Sequence, residues 1–396
     1  MAKRIQALVT PELLTWARET AGYSIDELAS KLKQAPETIT AWEEGSQRPY
    51  MGQLRRIATI CKRSVSDFYL PTPPERETLP HDFRRSPGEI AMFYSPALRQ
   101  QLRLAKERRE LALSLYDGLS ETVPIITEST SGMIDPELVG QKIREMLNID
   151  FSVQRKLGDG RPAYSFWRQH LESVGCLIFQ ILNVSANEAW GFSIVDHPLP
   201  VIGVNRALAP NGRTFTLLHE FVHVLRNESS ICDIDDFTTR DPSDLAIEAY
   251  CNSVAASTLM PQIHFMDHDA ITNRSSSGYA WQDDEIRALA STFGVSREAA
   301  VRRLVTLKLT TMEFYISKRR QYHAEREEAR TRQLEKSKDR EIRRNMPREA
   351  LSNLGRRFVG LILQNYHEDR ITLLDASDYL GVRAEKVEAL GKLIAA

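Results

Sequence analysis

The stretch Phe215–Leu225, Phe-Thr-Leu-Leu-His-Glu-Phe-Val-His-Val-Leu, constrains this chain more than any other. Leu217, Leu218, Phe221, Val222, Val224 and Leu225 make it apolar on nearly all sides. A helix of that kind is buried. His219 and His223 are four residues apart, and such positions share one helix face. Two imidazoles and the Glu220 carboxylate are therefore expected inside a core, where polar groups without partners are costly. The spacing predicts a metal ion as that partner. Two neutral imidazoles one turn apart can hold zinc, and Glu220 beside them can act as general base toward a water. The alternative is a core helix with two incidental histidines.

Catalytic zinc usually keeps three protein ligands and one open position. The third ligand should come from a second element packed on the first. Asp244–Pro261 reads as a helix rich in small residues, so it can approach another helix closely, and Pro261 marks its end. Glu248 and Asn252 share a face of it. Glu248 can bind the metal while Asn252 supports a ligand from behind. Taken alone, Glu248 would read as a solvated helix carboxylate.

These two segments resemble the ImmA/IrrE family of metallopeptidases, through Arg213–His223 and Glu248–Pro261. The resemblance implies zinc ligands at His219, His223 and Glu248, Glu220 as catalytic base, and protein or peptide substrates. Family members are typically site-specific, and several cut helix-turn-helix repressors to switch on stress or mobile-element genes.

Composition sets outer bounds. A length of 396 residues allows two or three domains. No apolar run approaches the roughly 20 residues that span a bilayer, so no membrane partner is expected. Met1-Ala2-Lys3-Arg4 leads into no signal-like apolar core, which points to a cytoplasmic protein. The net charge of −1 gives no global reason to bind nucleic acid. Cys61, Cys176, Cys232 and Cys251 are scattered and read as reduced thiols.

Residues 1–70 read as a helical bundle. Ser24 and Glu27 form a capping box ahead of Leu28, Ala29 and Leu32. Pro36 suits a first helical turn, Ile39 and Trp42 supply an apolar side, and Gly45 ends the helix. Two short helices with a tight turn read as helix-turn-helix. Leu13–Tyr69 resembles the Xre/Cro-type repressor domain, whose third helix enters the major groove. The resemblance places Gln34, Thr38, Thr40, Gln47 and Arg48 as candidate contacts to operator DNA. Pro36, Glu37 and Ala41 fill neighbouring positions, and no Arg or Gln stands at the helix start for bidentate base reading. Glu37, Glu43 and Glu44 are expected to repel phosphates. Residues 1–70 carry ten Lys/Arg against eight Asp/Glu, a balance of only +2. A module that docks a protein instead of DNA is the alternative.

The rest of the chain is expected as follows. Residues 71–94 form a proline-rich linker that includes Pro80-His81-Asp82-Phe83-Arg84, a run without an assigned role. Residues 95–316 form a minimal zincin core, with helices and then three short β-like runs at Gly175–Ile181, Trp190–Val195 and Pro200–Asn205. One of these runs is expected to take a substrate backbone as an added strand. Phe293–Val305 resembles another helix-turn-helix. Residues 317–350 read as a charged, solvated helix and 351–396 as a final helical unit on that stem. The fold class is mainly α with a small β-sheet, α+β overall. Two functions fit. One is a zinc-dependent, site-specific metallopeptidase coupled to a repressor-like domain, acting in transcriptional or stress and mobile-element regulation. The other is an antitoxin or autorepressor of a toxin–antitoxin or phage-linked operon. It would bind DNA and a partner toxin encoded next to it, with little or no proteolysis.

Overall fold

A computed structural model of the chain describes residues 5–74, 80–82, 94–126, 130, 133–158, 160–232, 242–274, 278–337 and 345–395. Most of the expected linker, Phe83 and Arg84 included, lies outside the described residues, as do residues 338–344 of the charged segment. The described residues fall into two compact units. One draws on Met1–Leu79, Arg85–Lys106 and Leu182–Val184, and the other on Pro80–Arg84, Glu107–Ile181 and Ser185–Ala396. None of the described helices is long and apolar enough to cross a membrane.

The first unit contains the expected helix-turn-helix bundle. Helices α1 (Pro11–Ala21), α2 (Ile25–Leu32), α3 (Pro36–Glu43) and α4 (Met51–Cys61) precede a 3-10 turn at Val65–Tyr69. The capping box forms as read. The Ser24 hydroxyl accepts from Glu27 N at 3.1 Å, and the Glu27 carboxylate accepts from Ser24 N at 2.8 Å. Lys33, at φ 56°, makes the left-handed stop between α2 and α3. Leu13, Leu28, Leu32, Ile39, Trp42, Leu54 and Phe68 close the core. The first half of α5 (Pro96–Leu119) belongs to this unit as well. Arg99 donates to the Glu19 carbonyl and Arg103 to the Lys62 carbonyl, so two guanidinium groups satisfy the C-terminal ends of α1 and α4.

The second unit is an α+β core. Its sheet runs in the order β1-β5-β3-β4-β2. The three runs read from the sequence become β2 (Leu177–Ile181), β3 (Gly191–Ile194) and β4 (Val201–Asn205). β1 (His81–Asp82) and β5 (Ser230–Cys232) are too short for a periodic signal. β4 lies parallel to β2 and antiparallel to β3, β5 is antiparallel to β3, and β1 is parallel to β5. Every residue of β2, β3 and β4 is buried, so both sheet faces are covered. The expectation that one of these three strands takes a substrate backbone meets a steric obstacle. β3 and β4 are flanked by strands on both sides. At β2 the outer side is met by Arg168, which donates to the Ile178 carbonyl, and by Ser352, whose hydroxyl lies 3.1 Å from the Gln180 amide.

Helices α6 (Pro136–Met146), α7 (Phe151–Leu157) and α8 (Arg161–Ser173) lie between β1 and β2, and α9 (Pro210–Arg226) and α10 (Pro242–Leu259) follow β4, with β5 between them. α10 packs against both α6 and α9. Gly140 on α6 makes one of these approaches possible. A Cβ there would stand 2.5 Å from Ser257 Oγ and 2.8 Å from Thr258 N on α10. Short helices α11 (Gln262–Met266) and α12 (Asp269–Thr272) lead to α13 (Asp283–Phe293) and α14 (Arg297–Thr306). The α13–Gly294–α14 unit is the second helix-turn-helix-like segment. Its buried Arg303 pairs with Glu137 of α6 at 2.5 Å.

The charged helix α15 (Met312–Ser337) is laced to this core through Lys318–Asp283 and Arg297–Glu325. Helices α16 (Met346–Leu354), α17 (Arg356–His367), α18 (Leu373–Leu380) and α19 (Val387–Ala395) complete the chain. They do not stand alone on the charged stem. Phe358 of α17 meets Phe179 of β2 edge to face, with ring centroids 5.4 Å apart. Arg168 of α8 donates to the Ser352 carbonyl, and Glu172 accepts from Arg357 N at 3.2 Å. An apolar face that reads as a private core in sequence is here the cover of β2 and α8. Phe358→Ala should therefore cost about 3–5 kcal/mol. Urea unfolding of the full chain checks this, and a midpoint unchanged from wild type would show that the terminal helices carry no stability.

Candidate metal centre

α9 is helical and buried for the reasons its sequence suggests. Pro210 starts it, a long apolar run follows, and Asn227 ends it in the left-handed conformation at φ 60°. His219, Glu220 and His223 have no exposed surface. α10 crosses beside it and brings in Glu248, 2% exposed. His219, His223 and Glu248 form the one group of metal-type donors found among the described residues.

The three side chains form a triangle in which the two imidazoles face different oxygens of Glu248. The two Nε2 atoms are 3.2 Å apart, His223 Nε2 lies 3.2 Å from Glu248 Oε1, and His219 Nε2 lies 3.4 Å from Glu248 Oε2. Ligands at about 2.0–2.1 Å around a tetrahedral ion stand about 3.3 Å from one another. Each of the three separations is close to that value, and the donor set of two imidazoles and one carboxylate suits zinc.

The charges of the three groups are coupled. Burial works against the Glu248 charge, but His219 and His223 beside it outweigh burial and hold the carboxyl well below the usual range. Burial also opposes a charge on His219, yet Glu248 raises its pKa. At His223 burial wins and the pKa falls. One ionised carboxylate is shared by two rings, of which only one is favoured to take a proton.

Two further side chains of α10 lie near the imidazoles. Asn252 lies against His219 and favours its charge. Cys251 Sγ stands 3.9 Å from His223 Nδ1. Burial raises the Cys251 thiol well above its ordinary range, so it faces the imidazole as a neutral SH group. Cys61, Cys176 and Cys251 are buried free thiols.

Glu220 follows a different course from these three residues. Its Oε2 accepts from Ser230 Oγ of β5 at 2.6 Å, and Ser230 Oγ lies 2.8 Å from Ser193 Oγ of β3. A Cβ on Gly191 of β3 would stand 2.6 Å from Glu220 Oε1. Sequence reasoning missed Ser193, Ser230 and Gly191. A signal existed for Gly191 alone, because a glycine inside a strand-like run marks a close approach.

In the helix-turn-helix unit the five candidate DNA contacts gather around α3. Gln47 and Arg48 are exposed just beyond its end, and Gln34, Thr38 and Thr40 are half-buried. Thr40 turns its hydroxyl to the Pro36 carbonyl, and Gln34 donates to the Lys33 carbonyl. One expectation needs correcting. Glu43 was expected to repel phosphates, but Arg18 binds it through two bonds, Nε to Oε1 at 2.7 Å and Nη2 to Oε2 at 2.9 Å.

Comparison with known families agrees with both units. No curated protein matches the chain. Residues 14–68 match the helix-turn-helix family model, and residues 172–305, which carry α9, α10 and the triangle, match that of the IrrE N-terminal-like domain, a peptidase family. Together the two matches are those of an ImmA/IrrE-type protein with an N-terminal Xre-type helix-turn-helix domain.

Proposed function

We propose that this chain is a zinc-dependent, site-specific metallopeptidase of the cytoplasm, coupled to a repressor-like domain and acting in transcriptional or stress and mobile-element regulation. The observation that carries the reading is the buried His219–His223–Glu248 group, whose nitrogen and oxygen donors converge within 3.2–3.4 Å of one another. His219, His223 and Glu248 would hold the ion. Bound there, zinc would polarise a peptide carbonyl and acidify a water. Glu220 takes the proton of the attacking water and passes it to the departing amine. Asn252 and Cys251 keep the two imidazoles oriented from behind. A polypeptide, such as a helix-turn-helix repressor, is the proposed substrate.

Two outcomes test this reading. Purified protein should hold about one zinc per chain by elemental analysis, as a single site requires, and His219→Ala, His223→Ala and Glu248→Ala should each lose most of it. Retention of full zinc by Glu248→Ala would remove it from the ligand set. Glu220→Gln should keep the metal and slow peptide cleavage by roughly 10²–10⁴-fold. Cleavage by that variant at the wild-type rate would end its assignment as base.

The antitoxin or autorepressor reading draws on the α3 region. With Glu43 neutralised by Arg18, that region is less acidic than its sequence. Gln34, Thr38, Thr40, Gln47 and Arg48 are the proposed contacts to operator DNA. Binding through so few cations should be weak and fall with salt. In a gel-shift titration at two salt concentrations, Arg48→Ala should weaken binding at the lower salt. Affinity independent of salt would exclude phosphate-driven binding.

A further inference from the structure

Glu220 is the one member of the proposed machinery whose carboxylate is gripped by the sheet. Its side chain has three rotatable bonds, and a base is effective only where its oxygens are held in place. β5 contributes Ser230, whose hydroxyl donates to Oε2 at 2.6 Å. β3 contributes Ser193, whose hydroxyl lies 2.8 Å from that of Ser230 and 3.5 Å from the Glu228 carbonyl. The two serines are opposite each other in the β3–β5 register, and both are fully buried. Two residues away on β3, Gly191 leaves the space that Oε1 fills, since a Cβ there would come within 2.6 Å. One oxygen is held by a hydroxyl and the other fits where a side chain is missing.

We infer that Ser230, backed by Ser193, is a positioning residue for Glu220, and that Gly191 is the matching gap. The inference rests on the proposed peptidase reading for its consequence in catalysis, but not for the contact itself. Ser193 and Ser230 stand on β3 and β5, whereas the proposed ligands stand on α9 and α10. The clamp should therefore be separable from metal binding. It also gives β5 a role: this three-residue strand, directly after α9, returns a hydroxyl to the helix that precedes it.

The experiment uses the full-length chain as wild type, Ser230→Ala, Ser230→Thr and Glu220→Gln, with the double variant Ser230→Ala/Glu220→Gln. The probe for catalysis is a fluorescence-quenched random peptide library, from which one cleaved peptide is taken forward. Ser230→Ala should bind as much zinc as wild type, lose roughly ten- to a hundredfold in kcat and keep KM within about twofold, since misplacing a reacting group affects the chemical step. Ser230→Thr, which keeps the hydroxyl, should recover most of the loss. In metal-stripped protein, the urea midpoint shifts of Ser230→Ala and Glu220→Gln should not add in the double variant, because contacting residues couple. Additive shifts, an unchanged kcat or a loss of zinc in Ser230→Ala would each overturn the inference. If Ser230→Ala fails to fold, Ser193→Ala takes its place, with a smaller kcat loss expected and an unchanged kcat counting against the clamp. If wild type holds zinc and cleaves no peptide, the peptidase reading fails, and the urea cycle alone decides whether Ser230 grips Glu220.

Discussion

The second unit depends on one shared carboxylate. Glu248 stands between two imidazoles at 3.2 and 3.4 Å in a place without solvent. Such a charge is tolerable in a core only when it is paired and hydrogen-bonded. The pairing in turn demands that α9 and α10 lie close. Small residues satisfy that demand: Cys251 and Ala255 on α10 are fully buried, and Gly140 lets α6 press on α10 near Ser257. A larger side chain at Gly140 would push α10, and Glu248 rides on α10. The packing of a helix that holds no ligand thus bears on the ligand triangle.

The other side of α9 meets the sheet, and the division of labour follows the helix period. His219 and His223 share the face toward α10, whereas Glu220, one residue on, is rotated about 100° away, as the helical repeat requires, and meets β3 and β5. Glu220 and the His219–His223–Glu248 group are therefore met by different elements. On the proposed reading, metal affinity and base placement would vary separately, and the clamp and the triangle would respond to different substitutions.

Much of this was legible in the sequence because it depends on local period and spacing. The i, i+4 pair His219–His223, the capping box of Ser24 and Glu27, and the stop at Pro261 need only neighbouring residues to be recognised. Glu248 was within reach because its helix carries so many small side chains. Ser230 was not. A three-residue strand has no periodicity, and a serine after a helix reads as a cap or a turn. The terminal helices were half legible. Their apolar positions Phe358, Leu361 and Ile362 announce a buried face, but periodicity does not say which partner it covers. That partner, β2 and α8, lies some 180 residues earlier in the chain, at Phe179 and Glu172.

The helix-turn-helix unit shows the same limit in its electrostatics. Residues 1–70 sum to +2, and the acidic residues of α3, read from the sequence alone, weigh against DNA. A sum treats every charge as a free charge. Arg18 and Glu43 are 25 residues apart in sequence and 2.7 Å apart in space, so at the distance of a phosphate they act as a dipole, whose field falls faster than that of a lone charge. The bond to Glu43 is the largest influence on Arg18 and raises its pKa, against burial, which opposes the charge. Glu43 is used by the bundle to join α3 to α1. What a phosphate meets near α3 is then set by exposed Glu37, Glu44, Gln47 and Arg48, a nearly balanced set in which polar groups, not net charge, must supply any selectivity.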